Sequence, residues 1–261
     1  MKLEYQHLEL CNKRIFVKSI IPIKCDSENT IIFLHEALGS TAQWKGFPEE
    51  IAQKSNTKCV IIEREGHGNS SPLSAKRKID YLFEESYIVL PKILEILKIK
   101  SPIIIGHSDG GTIALLFASR FKTEKIISIS AHVFVEKITL EGVEKVKKNR
   151  AILIEKLRKY HNEKAELLFD EWWRIWLSPQ FRTFNIEKEI SKIKAPLLVI
   201  QSKDDKYGSL EQVKSILKNV QSSFKKSYLL EKAGHSPHLE EPELVSKSII
   251  EFIFTLKNKY S

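Results

Sequence analysis

The stretch that decides the fold runs from residue 103 to residue 111 and reads Ile-Ile-Ile-Gly-His-Ser-Asp-Gly-Gly. Three consecutive isoleucines are typical of a fully buried parallel strand, and Thr112 to Ala118 has the composition of a helix packed on a sheet. A serine between such elements lies on a sharp, strained turn that exposes its hydroxyl. Gly-x-Ser-x-Gly alone is a weak motif, but its position between a strand and a helix makes Ser108 the candidate nucleophile.

Two further buried-strand patterns lie downstream, and each is followed at once by a polar group that a serine nucleophile needs. Pro196 to Gln201 precedes Ser-Lys-Asp-Asp at 202–205, and Lys226 to Glu231 precedes Ala-Gly-His at 233–235. An imidazole accepts the serine proton during attack, and a carboxylate holds that imidazole in the required tautomer. The chain order Ser, Asp, His therefore indicates a catalytic triad.

Five segments make the sequence similar to the α/β-hydrolase superfamily over nearly the whole chain. They are the three segments above together with Phe-Leu-His-Glu-Ala-Leu-Gly-Ser at 33–40 and Glu-Arg-Glu-Gly-His-Gly-Asn-Ser at 63–70. The resemblance implies an α/β-hydrolase fold, in which a mostly parallel central sheet is flanked by helices and carries an inserted helical cap. The Gly-His-Ser-Asp-Gly elbow and the cap are similar to bacterial esterases, lactonases and carbon–carbon hydrolases of meta-cleavage products.

The resemblance also assigns the partners of the nucleophile. The family's Gly-His pattern matches His235 as the base, ahead of His238. The family's Gly-x-x-Asp pattern, with Ser202 in the glycine position, places the acid at Asp205, with Asp204 as the runner-up. The alternative role for either aspartate is a turn or a helix N-cap, which fits Asp204 better.

The family builds its oxyanion hole from two backbone N–H groups. One belongs to the residue after the nucleophile, here Asp109, and the other to the loop after the strand pattern Thr30 to Leu34, where the family's His-Gly-x pattern places the donor at Ala37. His35 is expected to bond the loop backbone. Glu36 stands where the family commonly has glycine, and its side chain is expected to point away from the site; the alternative brings a carboxylate near the substrate.

The remaining pattern predicts a single catalytic domain with an insertion. Strand patterns alternate with helices up to about residue 134, stop, and resume at Pro196. The interval is helical and charged, and it carries three tryptophans that are expected first to form the core of a small helical subdomain (Trp172, Trp173 and Trp176). We therefore predict a core of residues 1–134 and 195–261 and a helical cap of residues 135–194.

Composition narrows the class of protein. The 261 residues carry 42 Lys and Arg against 33 Asp and Glu, a net charge of +9, but basic and acidic residues are interspersed along the helical segments. This distribution is typical of solvated helix faces and argues against a nucleic-acid partner. There is no apolar segment long enough to span a bilayer and no apolar signal region at the amino terminus. Three cysteines without CxxC spacing favour reduced thiols (Cys11, Cys25 and Cys59).

These patterns lead to one main functional hypothesis. We expect a cytoplasmic monomer or homodimer, without metal or organic cofactor, that acts on a small molecule. The main hypothesis is a serine hydrolase that cleaves a small carboxylic ester, thioester or related acyl substrate through an acyl-enzyme. Two alternatives stay open, because fold alone does not decide function: a carbon–carbon hydrolase, lyase or synthase that uses the same triad, and a small-ligand receptor on the same fold.

Overall fold

In the computed structural model, which describes residues 1–25 and 27–255, eight strands form one sheet with the order β1-β2-β4-β3-β5-β6-β7-β8. The strands are β1 (Lys2–Leu10), β2 (Lys13–Ile21), β3 (Thr30–Leu34), β4 (Lys58–Ile62), β5 (Ile103–His107), β6 (Lys125–Ile129), β7 (Leu197–Ser202) and β8 (Lys225–Leu230). Strands β3 to β8 run parallel, and β2 pairs antiparallel with both β1 and β4. The predicted mostly parallel sheet is therefore confirmed.

Helices cover both faces of this sheet because side chains alternate along each central strand. Ile104 of β5 packs into the core on one face, while Ile103 and Ile105 pack into the core on the other. The helices of the described residues are α1 (Phe47–Ser55), α2 (Tyr81–Glu84), α3 (Leu90–Ile96), α4 (Asp109–Ala118), α5 (Lys137–Lys148), α6 (Arg150–His161), α7 (Ala165–Trp176), α8 (Glu187–Ile190), α9 (Leu210–Asn219), α10 (Pro237–Glu240) and α11 (Pro242–Phe254). Helices α1 and α11 pack together over one face, and α4 packs on the other.

The amino-terminal strands form a hairpin whose turn differs from the prediction by one residue. The sequence pattern places the turn at Asn12 and Lys13, whereas Lys13 already belongs to β2 and the turn residues are Cys11 and Asn12. Both have positive φ, at 51° and 63°. Two such residues form the type of two-residue turn whose twist matches that of the flanking strands.

One predicted helix is interrupted in the structure. The pattern from Ile79 to Leu97 predicts a single amphipathic helix with a kink at Pro91, but a π-helical turn at Glu85–Val89 separates α2 from α3. Proline has no N–H to donate to the carbonyl one turn earlier, and its ring crowds that carbonyl. The backbone widens into a π turn immediately before Pro91, which is how a helix accommodates such a break.

The helices α5 to α8 lie between β6 and β7 in the chain, within the segment 135–194 predicted to form the cap. Helices α5, α6 and α7 pack against one another. The chain leaves the sheet at the carboxyl end of β6 and returns to it at the amino end of β7. Of the predicted core segment 195–261, residues 256–261 lie outside the described residues.

Candidate active site

Ser108 occupies a strained turn between β5 and α4. Its φ of 54° and ψ of −116° lie in a region that residues with a side chain rarely adopt. The turn is possible because Gly106 and Gly110 have no Cβ: a Cβ on Gly106 would lie 2.1 Å from the Gly110 carbonyl oxygen, and one on Gly110 would lie 2.0 Å from the Leu34 carbonyl oxygen. The Ser108 N–H donates to the Ile129 carbonyl at 2.8 Å, which ties the turn to β6.

The structure brings Ser108, His235 and Asp205 together in the order that the sequence indicates. The Ser108 Oγ lies 2.9 Å from His235 Nε2, and His235 Nδ1 lies 2.8 Å and 3.0 Å from the two Asp205 carboxylate oxygens. Since a carboxylate only accepts, Nδ1 carries the proton and Nε2 is free to accept the serine hydroxyl proton. Burial raises the pKa of the Asp205 carboxyl, but the hydrogen bond to His235, the His235 charge and the hydrogen bond from the Tyr207 N–H together outweigh burial, and the pKa lies below its ordinary value.

Two groups that the sequence pattern did not identify orient the Asp205 carboxylate. The Gln201 side-chain amide donates to Asp205 Oδ2 at 2.8 Å, and the Tyr207 backbone N–H donates to Oδ1 at 2.8 Å. Gln201 belongs to β7 and Tyr207 to the loop after it, so both ends of the loop hold the acid in place. The only sequence signal is a polar residue in an otherwise apolar strand.

Asp204 lies in the turn after β7, which is one of the two roles expected for it. It accepts hydrogen bonds from the Ser202 hydroxyl at 2.6 Å and from the Gly234 N–H at 3.1 Å. The N-cap of α9 is instead Ser209, whose hydroxyl accepts from the Glu211 N–H at 3.1 Å. The N-cap interpretation of Asp204 is therefore wrong: this carboxylate joins the loop after β7 to the loop that carries the histidine.

The competing histidine, His238, lies behind the triad. It is 3% exposed and packs against Trp44 and His107, with ring centroids 4.8 Å and 4.6 Å away. Burial lowers the pKa of His238 to about 3, so its ring is neutral. His107 supports the triad directly, because its Nε2 donates to the His235 carbonyl oxygen at 2.8 Å.

The loop after β3 is held by side chains that reach it from the loop after β4. The Arg64 N–H donates to His35 Nε2 at 3.1 Å, and His35 Nδ1 donates to the Glu36 carbonyl at 2.7 Å. Arg64 Nη2 donates to that same carbonyl at 2.7 Å, and His67 Nε2 donates to the Ala37 carbonyl at 2.9 Å. His35 thus bonds the loop backbone, as expected. Burial lowers the pKa values of His35 and His67 well below the ordinary value, so both are neutral.

Both backbone groups assigned to the oxyanion hole are free to donate. Within the described part of the chain, neither the Ala37 nor the Asp109 N–H donates to another residue. Asp109 is the first residue of α4, where backbone N–H groups have no partner inside the helix. Ala37 lines the same cavity as Ser108.

The Asp109 side chain is the centre of a buried network that joins the elbow to α7. The Tyr81 hydroxyl donates to Asp109 Oδ2 at 2.6 Å and accepts from Trp176 Nε1 at 3.1 Å. Arg64 Nη1 lies 3.5 Å from the same carboxylate oxygen. Burial and the Asp109 charge raise the pKa of the Tyr81 phenol well above its ordinary value. Tyr81 and Arg64 were not predicted to contact the elbow, since they belong to distant segments.

Ser108 and His235 open into a cavity of about 300 Å³. Most of its wall is apolar and comes from the loop after β3 and from α5 to α7; these residues include Leu38, Val143, Leu153, Leu157, Trp172 and Trp176. Two of the three tryptophans of α7 therefore face the cavity, while Trp173 packs on Lys147 and donates to Asp170. The interval 135–194 supplies the apolar wall opposite the nucleophile.

Comparison with known proteins identifies the fold. A family model described as the alpha/beta hydrolase fold matches residues 29–150. This chain has the α/β-hydrolase fold. Similar solved structures include a membrane phospholipase A that is a bacterial virulence factor, with 19% identity, a TM-score of 0.79, and coverage of 98% of this chain and 87% of that chain.

Two further similar structures have other hydrolase names. An enol-lactonase from Burkholderia xenovorans has 14% identity and a TM-score of 0.74 over 95% of this chain and 99% of its own. An esterase from Exiguobacterium antarcticum has 15% identity and a TM-score of 0.71 over 95% of this chain and 98% of its own. Identities this low establish the α/β-hydrolase fold alone. No curated protein matches the sequence.

Glu36 occupies a position where the α/β-hydrolase family commonly has glycine. Its side chain lines the cavity that holds Ser108 and His235, so the expectation that it points away from the site is wrong. Its charge acts on the His235 imidazole and on the Tyr207 phenol. Burial raises the pKa of the Glu36 carboxyl, and both burial and the Glu36 charge raise that of Tyr207, to about 12.

The α/β-hydrolase chain offers no evident place for a metal. Across residues 1–25 and 27–255, no group of three or more His, Cys, Asp or Glu side chains is arranged to hold one. Over the same residues, no helix has the length and apolar character needed to cross a membrane.

Proposed function

We propose that this protein is a serine hydrolase that cleaves small carboxylic esters, or closely related acyl substrates, through an acyl-enzyme. The observation that carries the proposal is the unbroken chain of hydrogen bonds from Ser108 through His235 to Asp205, at 2.9 Å and 2.8 Å. A serine hydroxyl is a weak nucleophile unless a base accepts its proton, and this arrangement provides that base in the correct tautomer.

In the acylation step, Ser108 Oγ attacks the carbonyl carbon of the ester while its proton passes to His235 Nε2. The carbonyl oxygen becomes an oxyanion that the backbone N–H groups of Ala37 and Asp109 stabilise. Collapse of the tetrahedral intermediate breaks the bond to the alcohol, which leaves with the proton from His235. Asp205 stabilises the imidazolium that forms in between.

In the deacylation step, water replaces the alcohol. His235 takes one proton from the water as its oxygen attacks the acyl carbon, and the second intermediate collapses to release the carboxylic acid and restore the Ser108 hydroxyl. The cavity of about 300 Å³ and its apolar wall suit a small, largely apolar acyl group.

The carbon–carbon hydrolase alternative receives less support from the lining of the cavity. Dienoate substrates of that chemistry carry a carboxylate, which a binding site stabilises best with Arg or Lys. Among the described residues that line the cavity there is neither Lys nor Arg, and Glu36 adds a negative charge. The esterase, lactonase and phospholipase names among the similar structures agree with ester chemistry.

A fluorophosphonate probe tests the nucleophile directly. We expect the wild-type protein to be labelled at Ser108 and Ser108→Ala to remain unlabelled. Ser130→Ala is the matched control, because Ser130 is also buried with a positive φ, of 50°, yet its hydroxyl has no hydrogen-bond partner among the described residues. Labelling of Ser108→Ala at the wild-type level, or no hydrolysis of p-nitrophenyl esters from acetate to octanoate, contradicts the proposal.

A further inference from the structure

The loop that follows β3, called the oxyanion loop below because it contains Ala37, places the Glu36 carboxylate close to the proposed oxyanion hole. Glu36 directly precedes Ala37, whose N–H is assigned to the oxyanion hole, and its side chain lines the cavity beside His235. A negative charge there opposes the developing oxyanion. The Glu36 charge therefore needs a compensating positive charge, and a cationic group on the bound substrate is best placed to supply it.

The Arg64 charge acts on Glu36, but among the described residues no ion pair joins the two side chains. Arg64 donates to the Glu36 backbone carbonyl, but its charge faces Asp109, whose carboxylate oxygen lies 3.5 Å from Nη1. The Glu36 carboxylate itself accepts only a long contact of 3.4 Å from the Leu38 N–H among the described residues. A half-buried carboxylate with so little bonding has unused capacity for a donor or a cation.

A second acceptor lies on the wall of the same cavity. His132 is 3% exposed, and its Nε2 donates to the Tyr207 carbonyl at 3.0 Å. Burial lowers the pKa of His132, so the ring is neutral and Nδ1 carries a lone pair. That Nδ1 has no hydrogen-bond partner within the described residues. This Nδ1 is shielded from solvent, so the group that gives the cavity wall its charge is Glu36, while Trp172 and Trp176 add aromatic surface that favours cations.

We propose that Glu36 is a specificity-determining residue that selects acyl substrates carrying an ammonium group and disfavours those carrying a carboxylate. The inference rests on the proposed ester hydrolase activity and names its substrate class. An ammonium in the cavity donates to the Glu36 carboxylate and leaves the oxyanion stabilised by Ala37 and Asp109. A carboxylate in the same place meets repulsion without any basic side chain to relieve it.

Three p-nitrophenyl esters that share one pentamethylene chain test the proposal: 6-aminohexanoate, heptanoate and monopimelate. They end in an ammonium, a methyl group and a carboxylate respectively, so charge is the main variable. With wild-type protein we expect kcat/KM to be highest for 6-aminohexanoate and lowest for monopimelate. In Glu36→Gln, the ratio between these two esters should fall by about tenfold or more, since an interaction of one charge pair at partial burial is lost.

Two further variants make the result specific. Glu36→Ala should reduce the ratio as Glu36→Gln does. Glu155→Gln removes the same charge from an exposed position on α6, where the side chain is 74% exposed, and should leave the ratio unchanged. Thermal unfolding of each variant checks that the fold is retained. Hydrolysis of all three esters at similar kcat/KM, or a ratio that survives in both Glu36 variants, overturns the inference alone; failure to hydrolyse any of them overturns the proposed function as well.

Discussion

The elbow after β5 and the loop after β3 lie side by side at the carboxyl edge of the sheet, yet they are held by different means. The elbow is fixed by its own backbone: Ser108 has a positive φ, and the glycines on either side allow contacts that no Cβ could enter. The oxyanion loop is fixed from outside by hydrogen bonds from Arg64 and His67.

Because the two regions are held by different means, they tolerate different amino-acid substitutions. A turn whose geometry depends on close backbone approach tolerates little substitution, and here it carries the proposed nucleophile Ser108. A loop braced through its carbonyl groups leaves its side chains free, so Glu36 can replace a glycine while Ala37 keeps its N–H available. The first region carries the proposed nucleophile, and the second carries the residue proposed to select substrates.

The largest expected effect is at the elbow hydroxyl. Ser108→Ala should lower kcat/KM for p-nitrophenyl butyrate by about 10⁴ or more while leaving thermal unfolding close to wild type. His235→Ala should cost a similar amount, and the double variant little more, because the two residues act as one unit. Near-additive losses in steady-state kinetics would show that the pair does not act together.

The next largest difference should be between the effects on kcat of replacing the two neighbouring aspartates. Asp205→Asn should lower kcat by about 10³ or more, because an amide favours the wrong imidazole tautomer. Asp204→Asn should lower it less than about tenfold, since an amide oxygen can still accept from the Gly234 N–H. The measurement is kcat with one ester under identical conditions; reversal of the two effects would place the acid at Asp204.

A methyl group added at Gly110 should disrupt the elbow by steric overlap alone. Gly110→Ala should lower the free energy of unfolding by about 3 kcal/mol or more, because the new Cβ would meet the Leu34 carbonyl oxygen at 2.0 Å. Gly208→Ala is the matched control, since its nearest neighbour would be at 3.4 Å. Urea unfolding compares the two, and equal losses would mean that close approach at the elbow is not what fixes it.

The hydrogen-bond network that joins the elbow to α7 should contribute a smaller amount to the free energy of unfolding. Tyr81→Phe removes the donor to Asp109 and the acceptor for Trp176, so it should lower the free energy of unfolding by about 1–3 kcal/mol. Tyr228→Phe serves as the control, because no described residue bonds its hydroxyl. Urea unfolding under the same conditions measures both; a neutral Tyr81→Phe would remove the network from the account of stability.

Lowering the pH should destabilise the protein through the buried histidines that hydrogen-bond to the loop after β3. Burial keeps the pKa of His67 well below its ordinary 6.5, so the unfolded chain binds more protons below pH 6.5 and the free energy of unfolding falls as the pH drops through that value. The loss per such histidine is at most about 1.4 kcal/mol per pH unit. Denaturation series from pH 7.5 to 5 should show a shallower slope in His67→Gln but not in His7→Gln, an exposed control. Parallel slopes would contradict the assignment.

Much of this molecule follows from local sequence. The isoleucine run of β5 and the apolar run of β7 predicted those strands to within a residue or two, because a strand buried on both faces needs apolar side chains at every position. The elbow followed from Gly106 and Gly110, since only glycine permits such close approach. The order of the three triad segments followed from the strands that precede them, because parallel strands bring their carboxyl ends to one edge.

Only the tertiary structure decided what depends on contacts between distant segments. Glu36 faces the cavity because Arg64 and His35 hold its carbonyl. Asp204 ties together two loops instead of capping a helix, and Tyr81 joins Asp109 of the elbow to Trp176 of α7. Hydrophobic periodicity records which face of an element is buried and says nothing about the direction of a polar side chain on a loop. That direction is set by hydrogen bonds between residues far apart in sequence, which form only once the sheet has brought them together.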